Sequence, residues 1–132
     1  MKTKKIILAS DHAGFKLKDE IKKFLTKKRK KVLDLGTNSN VSVDYPDFAH
    51  KLSKKIKKNN NYFGILVCGS GIGMDMAANK HKNIRAALCY NTKSTKLSRK
   101  HNNANVMALG ARLTKKKIAL KCVKVFLSTK FD

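Results

Sequence analysis

A thiol and three alternating glycines stand together in the sequence Cys-Gly-Ser-Gly-Ile-Gly at residues 68–73. Glycine lets main-chain N–H groups approach a ligand closely, and a helix that begins there directs its positive end at the same point. Such a turn binds a phosphate or a developing oxyanion, and the helix end favours the thiolate form of a cysteine. A thiolate beside these amides can take a proton from a carbon next to a carbonyl while the amides hold the enediolate. Cys68 is equally well explained as a buried strand residue, and the turn alone could hold a nucleotide.

Two further pairs of side chains have the chemistry to move protons or bind polar groups. Asp11 and His12 form an acid–base pair on a predicted loop, although a helix-capping carboxylate and a solvated imidazole explain them equally well. His101 and Asn102 stand at the end of a predicted helix, where a lone histidine usually interacts with the helix dipole. Asp75 is expected to stabilise the first turn of a helix, with a catalytic carboxylate as the less favoured alternative.

Short apolar runs rich in β-branched residues alternate along the chain with longer stretches of helical periodicity. Alternation of this kind implies parallel βαβ units with right-handed crossovers. We therefore predict one doubly wound, Rossmann-like α/β domain over residues 1–132, with a five-stranded parallel sheet and helices on both faces. The predicted strands cover residues 5–10, 31–35, 62–68, 84–89 and 105–109, and the predicted helices cover residues 15–30, 44–58, 74–80, 92–101 and 114–127.

The position of a ligand site follows from this architecture. In open parallel sheets, ligands bind beyond the carboxyl ends of the strands, near the point where the strand order reverses. The segments that follow predicted strands and carry polar or glycine residues are 10–14, 68–73, 90–92 and 110–112. These four segments contain most of the reactive side chains of the protein, so we expect the site there.

The charge balance excludes some classes of protein and leaves others open. The chain has 31 Lys+Arg against 8 Asp+Glu, a formal net charge of +23. Lysines fall on nearly every predicted helix and only four arginines occur. We therefore interpret the charge as solvated surface without specific nucleic-acid binding; a dedicated polyanion site is the alternative.

The composition also bears on metal, membrane and disulfide sites. Eight acidic residues are too few for an acidic metal cage, and we predict no metal site. No apolar run approaches the roughly 20 residues of a membrane helix, and three cysteines without a C-x-x-C pair indicate reduced thiols in a cytoplasmic protein.

Several stretches of the chain resemble one known family, in the family's order and over almost the whole length. The matching stretches are Ser-Asp-His-Ala-Gly-Phe-Lys-Leu-Lys at 10–18, Asp-Tyr-Pro-Asp at 44–47, and residues 64–73, 77–80, 84–86, 97–106 and 110–112. They resemble ribose-5-phosphate isomerase B, within the wider group of LacA/LacB-type sugar-phosphate isomerases. The resemblance implies interconversion of ribose 5-phosphate and ribulose 5-phosphate in the pentose phosphate pathway, without a metal or organic cofactor. A hexose-phosphate isomerase of the galactose-6-phosphate or allose-6-phosphate kind is the alternative, and a non-catalytic relative that binds polyanions is a third.

The resemblance also implies roles for individual residues. Cys68 is expected to be the general base that moves a proton between C2 and C1, and the main-chain amides of 69–73 are expected to stabilise the enediolate. His101, with Asp11 nearby and Ser70 assisting, is expected to open the furanose ring. Contacts to the sugar phosphate are expected from Asp11, His12, Tyr45, Gly69, Ser70, Gly71, Ile72, Gly73, Asn102 and Arg112.

The family pattern further implies an assembly, and the chain departs from that pattern in two respects. Members of the family dimerise and build one site from two subunits, so we expect a homodimer, with a tetramer as the alternative.

Members of the family usually extend past the last helix with a tail of phosphate-binding arginines, whereas this sequence ends at Asp132. We expect nearby lysines to replace them, or phosphate to be held more weakly, because lysine lacks the fork of donors of arginine. Some relatives use a glutamate of the following helix turn in place of the cysteine; Asp75 does not match that position, so Cys68 places the chain with the cysteine-type enzymes.

Overall fold

Strands and helices alternate along the chain, as the apolar and amphipathic stretches of the sequence predict. The computed structural model describes residues 4–57 and 61–132. All strands of the five-stranded sheet are parallel, in the order β2-β1-β3-β5-β4. The predicted doubly wound α/β fold is confirmed. No helix within the described ranges is long and apolar enough to cross a bilayer. In chain order the elements are β1 (Lys5–Ser10), α1 (Phe15–Lys27), β2 (Val32–Asp34), α2 (Tyr45–Lys57), β3 (Tyr62–Cys68), α3 (Ile72–Ala78), β4 (Ala86–Leu88), α4 (Thr92–Lys100), β5 (Val106–Gly110) and α5 (Lys116–Ser128).

The central strands β1 and β3 are buried on both faces, which explains why their sequences are almost continuously apolar. Successive side chains of a strand point to opposite faces of the sheet. Ile65 and Val67 of β3 therefore pack with α1 and α5, whereas Leu66 and Cys68 pack with α2 and α3. The helices enclose one apolar cluster on each face, and the last side chain of β3 belongs to the α2 and α3 face.

The reversal of strand order lies between β1 and β3, because β2 flanks one side of β1 and β3 flanks the other. Loops leave the sheet in opposite directions at such a point and open a crevice beyond the carboxyl ends of the strands. Asp11 follows β1 directly, and Cys68 is the last residue of β3. The N–H of Asp11 donates to the carbonyl oxygen of Val67 at 3.2 Å, so the two segments are joined at the crevice.

Most helix boundaries differ from the prediction by one to three residues, and two of these differences have a reason in the main chain. The first helix ends before the predicted residue 30, because Arg29 adopts a φ of 59°, which a right-handed helix cannot continue. The third helix begins before the predicted residue 74, because Gly71, with a φ of 81°, turns the chain into the helix early. The edge strands β2 and β4 are shorter than predicted. The predicted end of the second helix at residue 58, and most of the turn predicted after it, lie outside the described ranges.

One lysine that was assigned to the solvated surface is buried. Lys18 of α1 is 1% exposed, and its Nζ donates to both carboxylate oxygens of Asp34 at 2.6 Å. The interpretation of the positive charge as solvated surface is therefore wrong at Lys18. The physical reason is the fixed carboxylate at the end of β2, which compensates the loss of hydration of the ammonium group.

Candidate active site

A cavity of about 320 Å³ opens at the carboxyl edge of the sheet, and Cys68 lies in its wall. The carbonyl oxygen of Cys68 accepts a hydrogen bond from the N–H of Ala111 at 2.8 Å, and that of Gly69 accepts one from Arg112 at 2.9 Å. These two bonds join the glycine turn after β3 to the segment after β5. The thiol is thus held in a frame built from the ends of two neighbouring strands.

The sulfur of Cys68 faces the glycine turn. The N–H of Gly71 donates to Sγ at 3.1 Å, and the whole residue is 5% exposed. This bond fixes the direction of the sulfur and places it beside the start of α3, whose first N–H groups have no partner within the helix. Cys68 also packs with the apolar cluster of α2 and α3, but it lines the cavity as well, so a purely structural role does not describe its position.

The path of this turn requires glycine at two positions. Gly71 has a φ of 81°, and a methyl group on it would lie 2.9 Å from the carbonyl carbon of Leu109. A methyl group on Gly110 would overlap the carbonyl oxygen of Ser70. The turn and the end of β5 are therefore in direct main-chain contact, which lets the amides of the turn border the cavity.

Asp11 and His12 are fixed by main-chain donors on the β1 side of the crevice. Asp11 is 8% exposed, and its Oδ1 accepts a hydrogen bond from the N–H of Gly14 at 3.0 Å, so this carboxylate closes the turn before α1. His12 Nδ1 accepts from the N–H of Val43 at 3.1 Å. A neutral imidazole that accepts at Nδ1 carries its proton on Nε2, so His12 can donate from that nitrogen.

Two larger side chains border the cavity. Tyr45 lies over the turn so closely that a methyl group on Gly73 would come within 2.7 Å of its ring. Arg112 lies beside Gly69, with Nη1 2.9 Å from where a β-carbon of that glycine would stand. Its side chain is exposed, so the planar guanidinium can bind two oxygens of an anion. Leu113 also lines the cavity and was not among the predicted site residues.

Comparisons with known proteins identify the family of the chain. The family model described as Ribose/Galactose Isomerase matches residues 6–132. The chain belongs to this family. A putative sugar phosphate isomerase of Rickettsia conorii is 44% identical over 132 residues, which are 100% of this chain and 92% of the relative. The structure of a ribose 5-phosphate isomerase from Thermotoga maritima superimposes with a TM-score of 0.96 at 49% identity, covering 99% of this chain and 90% of that chain. The structure of ribose-5-phosphate isomerase B from Mycoplasma genitalium with bound ribulose-5-phosphate gives a TM-score of 0.94 at 43% identity, over 99% and 88% of the two chains. The resemblance stated from the sequence is confirmed.

This chain by itself does not bring all the predicted site residues together. His101 is exposed and ends α4, where its N–H donates to the carbonyl oxygen of Leu97 at 2.9 Å. Because β5 starts soon after this helix, His101 and Asn102 lie at the amino edge of the sheet, where Arg85 Nε donates to the Asn102 carbonyl at 2.7 Å. Within one chain, therefore, Asp11 is not near His101. The separation can be deduced from the sequence, since a helix that ends just before a parallel strand ends at the amino edge.

The sequence does not predict the ion pair between Lys18 and Asp34, which lies beneath the loop between β2 and α2. Lys18 bonds the Asp34 carboxylate and also donates to Asn38 Oδ1 at 3.2 Å, while Asp34 Oδ1 accepts from the N–H of Gly36 at 2.9 Å. Burial alone would raise the pKa of Asp34, but the hydrogen bonds from Lys18 and Gly36 and the nearby lysine charges together lower it. Gly36 in turn accepts from the N–H of Ser10 at 2.8 Å, so the pair anchors the loop that leads to Val43 and His12. The only signal in the sequence was an acidic residue at the end of a predicted strand.

Two other groups with titratable side chains lie away from the described cavity lining. Burial raises the pKa of Asp75, and its Oδ1 is buried without a hydrogen-bond partner among the described residues. The expected stabilisation of the α3 start by this carboxylate is therefore opposed by the cost of burying it. His50 Nδ1 and His81 Nε2 lie 2.7 Å apart and join α2 to the turn after α3.

Proposed function

We propose that this chain is an aldose–ketose isomerase that interconverts ribose 5-phosphate and ribulose 5-phosphate, in the pentose phosphate pathway of the cytoplasm. The observation that carries the proposal is the sulfur of Cys68, bonded to the Gly71 N–H at 3.1 Å in the wall of a cavity framed by a glycine turn. The similarity to the Mycoplasma genitalium enzyme with bound ribulose-5-phosphate supports the same substrate class.

The proposed reaction moves one proton between two carbons. The Cys68 thiolate takes the proton from C2 of the open aldose, and the electron pair of that C–H bond forms the C1–C2 double bond of an enediolate. The charge that develops on the C1 oxygen is stabilised by N–H groups of residues 69–73. A proton passes from the C2 oxygen to the C1 oxygen, and the thiol returns its proton to C1, so atoms and electrons balance without a cofactor.

The other side chains of the site bind and prepare the sugar phosphate. Arg112 and the Nε2–H of His12 carry donors suited to phosphate or hydroxyl oxygens, and Tyr45 limits the space beside the turn. Ser70, in the cavity wall, and Asp11, after β1, assist ring opening in this proposal. The glycine turn and Arg112 thus hold the two anionic ends of the reaction, the developing oxyanion and the phosphate.

A homodimer completes the site in this proposal. His101 and Asn102 lie at the amino edge of the sheet, away from Cys68 of the same chain. We infer that these two residues reach the cavity of a second copy, where the histidine opens the furanose ring. A shared site of this kind requires an isologous pairing, in which each chain supplies the same surface to the other.

The first experiment tests the base. Cys68→Ala is expected to lower kcat for ribose 5-phosphate isomerisation by about 10²–10⁴, the usual contribution of a positioned base. Cys89→Ala is the matched control, because Cys89 is a buried thiol outside the cavity lining, and it is expected to keep its turnover. Near-wild-type turnover of Cys68→Ala would reject the base, and faster conversion of galactose 6-phosphate than of ribose 5-phosphate would assign the chain to hexose phosphates.

The second experiment tests the shared site. Cys68→Ala and His101→Asn are expected to be inactive alone, because each homodimer then lacks one group in both sites. After subunit exchange, random hybrid dimers contain one intact site, which restores about a quarter of wild-type activity. Exchange without any recovery would reject the role of His101 in the partner's cavity and leave the role of Cys68 intact.

A further inference from the structure

The loop between β2 and α2, residues 35–44, is fastened to the sheet near its start and to His12 near its end. Near the start, the carbonyl oxygen of Gly36 accepts a hydrogen bond from the N–H of Ser10 at 2.8 Å. Near the end, the N–H of Val43 donates to His12 Nδ1 at 3.1 Å. The orientation of the His12 ring therefore depends on the path that the loop takes between these two points.

Lys18 holds the part of this loop that lies between the two points. Its ammonium group carries three donors, and three oxygens lie within hydrogen-bond distance of Nζ. Asp34 Oδ1 and Oδ2 are both at 2.6 Å, and Asn38 Oδ1 is at 3.2 Å. Asp34 ends β2 and Asn38 lies in the loop, so one buried ammonium group ties the loop to the sheet.

Stability alone does not account for a buried ion pair at this position. Burying an ammonium group and a carboxylate costs hydration free energy, and an apolar pair of similar volume is often equally stable or more stable. The bond that an apolar pair could not replace is the one from Lys18 to Asn38. Lys22 is the contrasting case: its Nζ lies 3.5 Å from Asp34 Oδ2, its side chain is 46% exposed, and within the described ranges it makes no hydrogen bond to the loop.

We propose that Lys18 is a positioning residue for substrate binding, which acts through Asn38 and the loop to hold His12 with its Nε2–H directed at the sugar phosphate. The inference rests on the proposed function for the identity of this ligand. An imidazole that accepts from the Val43 N–H at Nδ1 carries its proton on Nε2. When the loop is released, Nδ1 loses this donor and takes the proton in part of the molecules, in which Nε2 has no hydrogen to donate.

The main test combines Lys18→Met with Asp34→Asn. This double variant removes both charges together, and the new amide keeps an oxygen that can accept from the Gly36 N–H as Asp34 Oδ1 does. Nitrogen NMR of the His12 ring without ligand, at a pH of about 9 where imidazole is neutral, should show the Nε2–H tautomer in the wild type and a mixture in the double variant. KM for ribose 5-phosphate should rise about tenfold, the value of one charge-assisted hydrogen bond, with kcat unchanged.

Two single variants separate the tie to the loop from the ion pair. Asn38→Ala removes the oxygen on the loop and leaves the ion pair in place, and the Asn38 side chain is exposed, so this variant should fold. It is expected to raise KM by about threefold to tenfold, the range of a single hydrogen bond, and to mix the His12 tautomers. Lys22→Gln is the matched control, because it removes a cation from the same carboxylate, and it is expected to leave KM and the tautomer unchanged.

The tautomer and the kinetics give different ways for the proposal to fail. If the Nε2–H tautomer persists in both the double variant and Asn38→Ala, or if KM changes in neither, Lys18 does not position His12. An equal effect of Lys22→Gln would also overturn the proposal, because the effect would then come from the charge on Asp34. A wild-type protein that does not isomerise ribose 5-phosphate would reject the proposed function, whereas the tautomer measurement would still decide the role of Lys18.

Discussion

Gly14→Ala is expected to lower the activity, although Gly14 lies on the β1 side of the crevice and Cys68 lies at the end of β3. A methyl group on Gly14 would lie 2.5 Å from the carbonyl carbon of Val67 and closer still to its oxygen. Val67 immediately precedes Cys68, and its carbonyl also accepts the hydrogen bond of Asp11. Main chain cannot rotate away as a side chain can, so the end of β3 must move together with the sulfur.

The size of the movement follows from these distances. Widening the contact from 2.5 Å to the 3.4 Å of ordinary van der Waals packing needs about 0.9 Å. A displacement of about 1 Å at reacting groups costs on the order of 10²-fold in rate. We expect kcat/KM for ribose 5-phosphate to fall by about that factor in Gly14→Ala, and the free energy of unfolding to fall by about 1–3 kcal/mol from overpacking.

Gly64→Ala is the matched control, because Gly64 lies in β3, the strand that Gly14→Ala is expected to displace. Its methyl group would meet Ile56 Cδ1 at 2.5 Å and Leu52 Cδ2 at 2.7 Å, which are flexible ends of core side chains. The control should show a similar cost in urea unfolding with little change in kcat/KM. If both variants lose stability alike and Gly14→Ala keeps the activity of the control, the link from Gly14 through Val67 to the sulfur is refuted.

Three further outcomes are expected. Iodoacetamide should alkylate native Cys68 before Cys89, because burial raises the pKa of the Cys89 thiol to about 11, and peptide mass spectrometry showing equal labelling would contradict this. Asp34→Asn should lower the free energy of unfolding by about 3 kcal/mol at neutral pH by leaving Lys18 buried without its charge partner. Because the native pKa of Asp34 is lowered, its stabilisation is present above the ordinary carboxyl pKa and is lost as pH falls through the native value; urea unfolding in which wild type and variant do not converge in acid would refute the pair. Asn91→Ala should cost about 1 kcal/mol in the same unfolding assay, because Asn91 Oδ1 accepts the Ser94 N–H at 2.7 Å, and kcat should stay unchanged.

The central strands could be predicted at both ends, whereas the end of the first helix could not. β1 and β3 are buried on both faces, so their apolar runs stop where burial stops. The end of α1 carries no such mark, because the positive φ that ends it falls on Arg29, a residue type with no preference for that conformation. The order of the strands is also absent from the pattern, since alternating strands and helices are compatible with several orders of a parallel sheet.

The glycine turn of the candidate site could be predicted from its residue types, whereas the buried ion pair beside it could not. Gly71 and Gly110 are required by main-chain contact, and sequence reasoning found the turn through its glycines. Lys18 belongs to a helix full of exposed lysines, and nothing in its type or spacing separates it from its neighbours. Only the fold shows that Asp34 stands opposite it at 2.6 Å.

Buried cations, rather than the total charge, are informative in this protein. The net charge of +23 is carried mainly by exposed side chains, where charge is screened by salt and selects no particular ligand. Lys18 and Arg99 are desolvated, so each must have a compensating acceptor. Lys18 has a carboxylate partner and holds the loop that follows β2. Arg99 has carbonyl and amide oxygens as acceptors, and these bonds join α4 to the segment before β5 and to the end of α5. The two buried cations are therefore parts of the fold, whereas the exposed lysines around them can be replaced at little cost in stability.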